Sequence, residues 1–203
     1  MPSLLACKSR SFFLLSSLVA EFGPLALHPQ DVSVEEKVGE GQFGFVHRGK
    51  LLKPVLSIVA IKFLKETAEF QEQELFVREA LRMKDLKHEN VVSLIGVQYQ
   101  RKPIFIVLEY LGKGDLRKYL LGGRGLLNIP TQVDMCVQVM SGLHYLQSMH
   151  YVHRDIAARN VLINEKDVLK VSDFGLSRSL YVSQGQYKKS GGMLPLRWMV
   201  FTQ

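Results

Sequence analysis

The sequence predicts an α+β chain in two lobes, a small β-sheet with one helix packed on it followed by a mainly helical lobe. Three observations carry this expectation. Residues 31–64 read as three strands, short runs of branched and aromatic residues separated by turn formers. Apolar residues at helical spacing begin at Phe70 and again beyond Pro130. Between them the chain breaks at Gly112-Lys113-Gly114, the expected boundary between the lobes.

The elements follow in order. The three strands turn at Gly39–Gly41 and near Lys53-Pro54. A helix is expected over residues 68–86, with Phe76, Met83 and Leu86 on one face. Two strands come next, near Val91–Val97 and Ile104–Glu109, and complete the small sheet. Past the glycine break a short helix starts near Asp115. A longer one starts near Pro130, with Val133, Cys136, Val137, Met140, Leu143 and Leu146 at helical spacing. That spacing puts Cys136 in the core. Two short strands, near Val161–Ile163 and Leu169–Val171, then lead to Asp173.

Composition narrows the classes without choosing one. The 203 residues are 47% hydrophobic, enough for one or two cores and too apolar for general disorder. The net charge of +7 is spread through amphipathic segments, with no basic stripe interleaved with aromatics, so a nucleic-acid partner is not expected. Two cysteines, Cys7 and Cys136, make neither a disulfide framework nor a zinc site, and suit a reducing compartment.

Several motifs carry chemistry. Gly39-Glu40-Gly41-Gln42-Phe43-Gly44 contains GxGxxG, which dinucleotide-binding folds also show. Such a fold requires a helix after the glycines. Phe43 to Lys50 instead reads as a strand, so a glycine-rich hairpin is the better reading. Next, Val59-Ala60-Ile61-Lys62 is an apolar strand ending in a cation. Glu79, seventeen residues later, lies on the apolar face of the following helix. A carboxylate there is costly unless paired, and Lys62 is the natural partner, the alternative being a glutamate at the rim reaching water. Finally, His153-Arg154-Asp155-Ile156-Ala157-Ala158-Arg159-Asn160 is followed, eighteen residues after Asp155, by Asp173-Phe174-Gly175.

This last pairing resembles the catalytic loop and magnesium loop of the eukaryotic protein kinases, and the resemblance extends over roughly residues 30 to 199. Ala157-Ala158-Arg159 and Pro195-Leu196-Arg197-Trp198-Met199 resemble the tyrosine-specific branch, since serine/threonine kinases usually carry lysine where Ala157 stands. The resemblance implies a two-lobed protein-kinase fold that transfers the γ-phosphoryl group of Mg-ATP to a protein tyrosine. Its lobes would span residues 28–111, with the connecting hinge, and 112–203, ending in the activation segment. Asp155 would accept the hydroxyl proton, with Arg159 beside it. Lys62, aimed by Glu79, would hold the α- and β-phosphates, and Asn160 with Asp173 would hold Mg²⁺.

In that family ATP lies between the lobes. Val38, Gly39, Glu40, Gly41 and Gly44 would then cover the phosphates. Val46 and Ala60 would lie above the adenine and Leu162 below it, with Leu108 at the back of the pocket. The backbone of Glu109 and Leu111 would bond the adenine edge. His153, Phe174, Met83 and Leu94 match an internal apolar stack, and Tyr187, ahead of Tyr181, matches the usual autophosphorylation position.

Two regions depart from the resemblance. Residues 1–27 read as a leader or unrelated segment, in which Lys8, Arg10 and Phe12–Ala20 imitate a signal peptide. The run is too short and too interrupted by serine to span a membrane. The open readings are a true signal, an unrelated leader, an alternative first exon and the remnant of a longer upstream region. After Trp198-Met199 the chain reads Val200-Phe201-Thr202-Gln203 where the family continues with Ala-Pro-Glu and further helices. The helical lobe is therefore expected to be incomplete, with an apolar underside open to chaperones or a partner.

Three functions stay open on the sequence: a protein-tyrosine kinase acting on tyrosine-bearing proteins, a nucleotide-binding but inactive fragment, and a non-catalytic interaction module. The kinase reading implies a cytoplasmic location, or the cytoplasmic side of a membrane if the chain is part of a receptor.

Overall fold

A computed structural model describes residues 22–41, 44–122, 127–174 and 178–179. The chain divides into two compact units. The first runs to Asp85 and resumes over Leu94–Tyr110; the second takes Leu86–Ser93 and the chain from Leu111 onward.

The first unit is a five-stranded antiparallel sheet with one helix. Strands β1 (Val32–Gly41), β2 (Gly44–Leu51) and β3 (Ser57–Leu64) come before helix α1 (Phe70–Met83), and β4 (Leu94–Gln98) and β5 (Phe105–Glu109) follow it. The spatial order is β1-β2-β3-β5-β4. Period-two alternation in β3 and β5 gives the sheet two apolar faces. One buries Leu64, Ile104 and Ile106 with Phe76, Val77 and Ala80 of α1. The other buries Leu51, Val59, Ile61, Phe105 and Val107.

Three differences from the sequence expectations are informative. The glycines 39–41 do not turn; they continue β1, with Gly39 opposite Val46 and Gly41 opposite Gly44, so the reversal falls between Gly41 and Gly44. Helix α1 stops at Met83, where the Lys84 N–H bonds back to Leu81 O, and Leu86 is buried in the second unit. The strand expected from Val91 begins only at Leu94, because the residues before it hydrogen-bond elsewhere. Val171 N–H donates to Asn90 O and Val92 N–H to Val171 O, both at 2.9 Å.

The second unit contains β6 (Gly114–Asp115), helices α2 (Leu116–Leu121) and α3 (Ile129–Ser148), β7 (Tyr151–Val152), β8 (Val161–Ile163), β9 (Leu169–Val171) and β10 (Arg178–Ser179). Both helices start on side-chain caps. Asp115 Oδ1 accepts from Lys118 N–H and Asn128 Oδ1 from Thr131 N–H, each at 2.9 Å. Strands β8 and β9 match the sequence expectation to the residue.

Helix α3 corrects the expectation for Cys136, which is exposed. Val133, Val137 and Met140 are exposed as well, at 56%, 59% and 61%. The face turned inward holds Met135, Gly142 and Leu146. Of the expected stripe Leu146 is buried and Leu143 half-buried, whereas the members nearer the start of the helix are exposed, so periodicity alone placed only its C-terminal part correctly. No helix among the described residues is long and apolar enough to cross a membrane.

Candidate active site

The first unit contributes a hairpin and an ion pair. At the hairpin, a Cβ on Gly44 would lie 2.0 Å from the Phe63 carbonyl oxygen, so only hydrogen fits where β2 crosses β3. In the register, Val46 faces Lys62 and Ala60 faces Leu108. Because side chains alternate along β3, Val46, Ala60, Lys62 and Leu108 share one face of the sheet. Val38 lies in an irregularity of β1, 43% exposed, and Glu40 pairs with Phe45. Glu109 ends β5.

Lys62 Nζ donates to Glu79 Oε1 at 2.7 Å, with the side chains only 12% and 3% exposed. Glu79 reaches inward because α1 buries the neighbouring Phe76, Val77 and Ala80 against the sheet. The Lys62 ammonium also lies 6.0 Å from the centre of the Phe76 ring. A carboxylate and an ammonium both withdrawn from water fix each other's position, and the lysine leaves the sheet as an aimed cation.

The second unit contributes two loops joined by hydrogen bonds. His153 is buried; its Nε2 bonds Ser172 O at 2.8 Å, and its Nδ1 accepts from Asp155 N–H at 3.3 Å. Those two partners require the tautomer protonated on Nε2. Burial pushes the His153 pKa below its ordinary value, against the opposing pull of the Ser172 carbonyl, Asp173 and Asp155. The ring also meets Phe174 edge-on, 5.2 Å between centres.

Asp155 is held from both sides. Arg159 Nη2 donates to its Oδ1 at 2.5 Å, and Asn160 Nδ2 to its Oδ2 at 2.8 Å. Asn160 Nδ2 also reaches the Asp155 carbonyl at 2.8 Å. The Asn160 carbonyl in turn accepts Ser172 N–H at 2.8 Å and Ser172 Oγ–H at 2.9 Å. Ser172 thus ties the Asp155–Asn160 loop to the residue before Asp173. Arg154 and Asp173 both adopt left-handed backbone, at φ 70° and 63°. Such residues persist where surrounding bonds over-determine them, and they concentrate at functional sites. Leu162 is half-buried in β8, and Leu111 is buried.

The donor chemistry of this loop pair fits a hard cation. The Asn160 amide nitrogen is committed to Asp155, so its oxygen is the atom left for a metal, and Asp173 offers a carboxylate. Among the described residues no group of three or more His, Cys, Asp or Glu could hold a metal ion. Mg²⁺ does not need one, since it commonly takes one or two protein oxygens plus substrate phosphates.

Ser172 is the residue that sequence reasoning missed. Its only signal is a small hydroxyl between the apolar strand β9 and Asp173. Tyr187, Tyr181, Gly175, Gln42, Phe43 and Pro195–Met199 fall outside the described residues, as does Cys7.

A glycine-closed hairpin, a buried lysine–glutamate pair, and a second unit with Asp155, Asn160 and Asp173 on hydrogen-bonded loops define the class: protein kinases. Comparison with known proteins agrees. Residues 32–201 match the family described as protein tyrosine and serine/threonine kinase. The tyrosine-protein kinase transmembrane receptor Ror of Drosophila melanogaster is 43% identical over 181 residues, covering 84% of this chain and 26% of that protein. Drosophila tyrosine-protein kinase Btk is 42% identical over 180 residues, covering 85% and 22%. Human ephrin type-A receptor 1 is 42% identical over 175 residues, covering 85% and 18%. The chain belongs to the protein tyrosine and serine/threonine kinase family, on its tyrosine-kinase branch. It spans about a quarter or less of the length of these relatives.

Proposed function

We propose that the chain transfers phosphate from Mg-ATP to tyrosine hydroxyls of protein substrates. The observation that supports this most strongly is the immobilisation of Asp155 by Arg159 and Asn160, with Ser172 linking that loop to Asp173. Bound Mg-ATP supplies the γ-phosphoryl group. Asp155 accepts the proton of the attacking hydroxyl. Asn160 and Asp173 hold the cation, and Lys62, oriented by Glu79, holds the α- and β-phosphates. Gly39, Gly41 and Gly44 let backbone approach the phosphates, with Val38 and Glu40 beside them. Val46 and Ala60 in the first unit and Leu162 in the second are assigned to the adenine, and the backbone of Glu109 and Leu111 to its edge. Ala157, in place of a lysine, favours a phenolic acceptor.

Phosphorylation of Tyr187 is proposed as the regulatory input, since a phosphate adds about −1.5 to −2 charge and three acceptor oxygens. The reaction requires an ATP-rich compartment, so the site is placed on the cytoplasmic side.

The test is phosphorylation of a tyrosine peptide array with Mg-ATP by the chain and by Asp155→Asn. Wild-type activity falling by about 10²–10⁴-fold in the variant, with folding retained, is expected for a lost general base. Transfer mainly to serine and threonine, or equal activity in both proteins, would overturn the assignment. Nucleotide binding without transfer would favour the second reading, a nucleotide-binding interaction module.

A further inference from the structure

We infer that the loop joining β2 to β3, with the start of β3, is a reversible contact for the surface of an anionic lipid bilayer. The contact goes beyond the phosphotransfer reading and does not rest on it, because every residue involved belongs to the first unit.

The loop is unlike a turn built for water. Every residue from 52 to 58 is exposed, and Leu52, Val55, Leu56 and Ile58 are among them. Val55 and Leu56 are the most open, at 71% and 68%. Turns ordinarily expose Gly, Asn, Asp or Ser, each of which helps the chain to reverse. Aliphatic side chains give a reversal no such help. None of the four belongs to either apolar cluster of the sheet, whereas Leu51 and Val59 on either side do. The Leu52 N–H is also held, donating to Asp31 O at 2.7 Å. The strands thus anchor the loop and leave its own apolar side chains outside.

Charge selects the partner. Between Glu40 and Glu66 the sequence has no acidic residue, and the same stretch carries Arg48, Lys50, Lys53, Lys62 and Lys65. Lys53 lies in the loop, exposed and without a carboxylate partner among the described residues. Lys50, on its flank, is exposed and shares Glu35 with Arg48. Acidic groups on and just before β1 are therefore engaged, Glu35 in this way and Asp31 by the His28 N–H at 2.7 Å. An aliphatic tip flanked by lysine matches a surface that is negative at its face and apolar beneath, which anionic headgroups over acyl chains provide. A protein partner matches less well. Each side of a stable protein interface buries about 800 Å², more than four side chains of one loop can supply. A bilayer sets no such minimum, and so small an insertion gives reversible binding rather than anchoring.

Placement along the strands gives the consequence. The loop lies at the end of β2 and β3 opposite to the reversal between Gly41 and Gly44, about 23 Å away along the eight residues of β2. Lys62, opposite Val46, is toward the glycine end. A bilayer at the loop therefore leaves the hairpin and the lysine uncovered. Contact changes where the unit sits and not what it binds.

The experiment is co-sedimentation of the full chain, without nucleotide, with phosphatidylcholine vesicles that contain or lack about one-third phosphatidylserine. The variants are Val55→Gln with Leu56→Gln in one chain, Lys53→Gln, Val55→Trp, and Val137→Gln as the control for an exposed aliphatic residue elsewhere. Wild type should bind the anionic vesicles and release them as salt rises. The double variant should bind at least about tenfold more weakly, as expected when two aliphatic side chains no longer leave water. Lys53→Gln should bind about fivefold more weakly. Val55→Trp should keep binding, with emission quenched by brominated lipid beyond that of the wild type. This variant reads contact directly, so the inference does not depend on a loss. Val137→Gln should bind as the wild type does, and transfer to a soluble tyrosine peptide should be the same in every variant.

A wild-type chain that ignores anionic vesicles would overturn the inference. So would equal binding to neutral vesicles, a double variant that binds like the wild type, or an equal loss in Val137→Gln. Self-association in sedimentation velocity that the double variant abolishes, with vesicle binding unchanged, would assign the loop to a second copy of the chain instead. Vesicle binding as expected in a chain without peptide phosphorylation would reject the kinase reading alone.

Discussion

The two units hold their functional carboxylates by different physical means. In the first, Glu79 is fixed by apolar packing of a whole helix and meets a cation on a separate strand. In the second, Asp155 is fixed by short hydrogen bonds from residues four and five positions away, and that loop is tied to its neighbour through Ser172. Packing is non-directional and tolerates sliding; a network of directed bonds does not. The difference teaches where each half can change. The lysine–glutamate pair can be made or broken by moving a helix, whereas the Asp155 loop stays set as long as its local bonds survive.

The largest expected effect breaks the pair from one side. Lys62→Met leaves Glu79 buried without its cation, and removal of one partner of a buried pair typically costs about 3–5 kcal/mol. Both phosphate transfer and unfolding stability should therefore fall. Adding Glu79→Leu should restore much of the stability and none of the transfer. Urea unfolding and peptide phosphorylation of the single and double variants separate the two effects. A single variant as stable as wild type would mean that water reaches Glu79 and that packing fixes it less firmly than argued.

A smaller effect is expected from the directed network. Ser172→Ala removes the hydroxyl that donates to the Asn160 carbonyl, while the Ser172 N–H bond to the same oxygen remains. With that acceptor still satisfied, loss of the hydroxyl bond costs about 0.5–1.5 kcal/mol. Stability should drop modestly, and kcat should fall more than the KM for ATP rises, because the loop that aims Asp155 loosens. If only KM changed, Ser172 would be serving nucleotide binding and the contrast between the units would lose its basis.

How much of this was legible in the sequence depends on how local the signal is. Strands β8 and β9 and the helix starts near Asp115 and Pro130 are written in adjacent residues and were readable. So was the Lys62–Glu79 pair, because a carboxylate on an apolar stripe demands a partner. Ser172 was not, since its value lies in a carbonyl twelve residues away that only the folded loops bring near. Cys136 was misassigned because periodicity marks a stripe along α3 but not how much of its length is covered. Phe22 was missed because a lone aromatic before a turn looks the same in a leader as in a folded unit, and only its burial in one cluster with Phe76 and Val77 of α1 decides it.

The smallest effect probes the network through pH. Burial holds the His153 pKa below its ordinary value of 6.5. The unfolded chain therefore binds more protons than the folded chain just below that pH. The contribution of His153 to stability is fully present above about 6.5 and is lost as pH falls through the lower, folded value. Geometry gives the same sign. A protonated Nδ1 would turn a donor toward the Asp155 N–H it now accepts from, while Nε2 keeps its bond to Ser172 O. Asp155 and Asp173 face the ring and soften the effect without reversing it. Urea midpoints from pH 7.5 to 5.5 should fall for the wild type and follow a flatter course for His153→Gln. Parallel curves would assign the acid sensitivity to other groups.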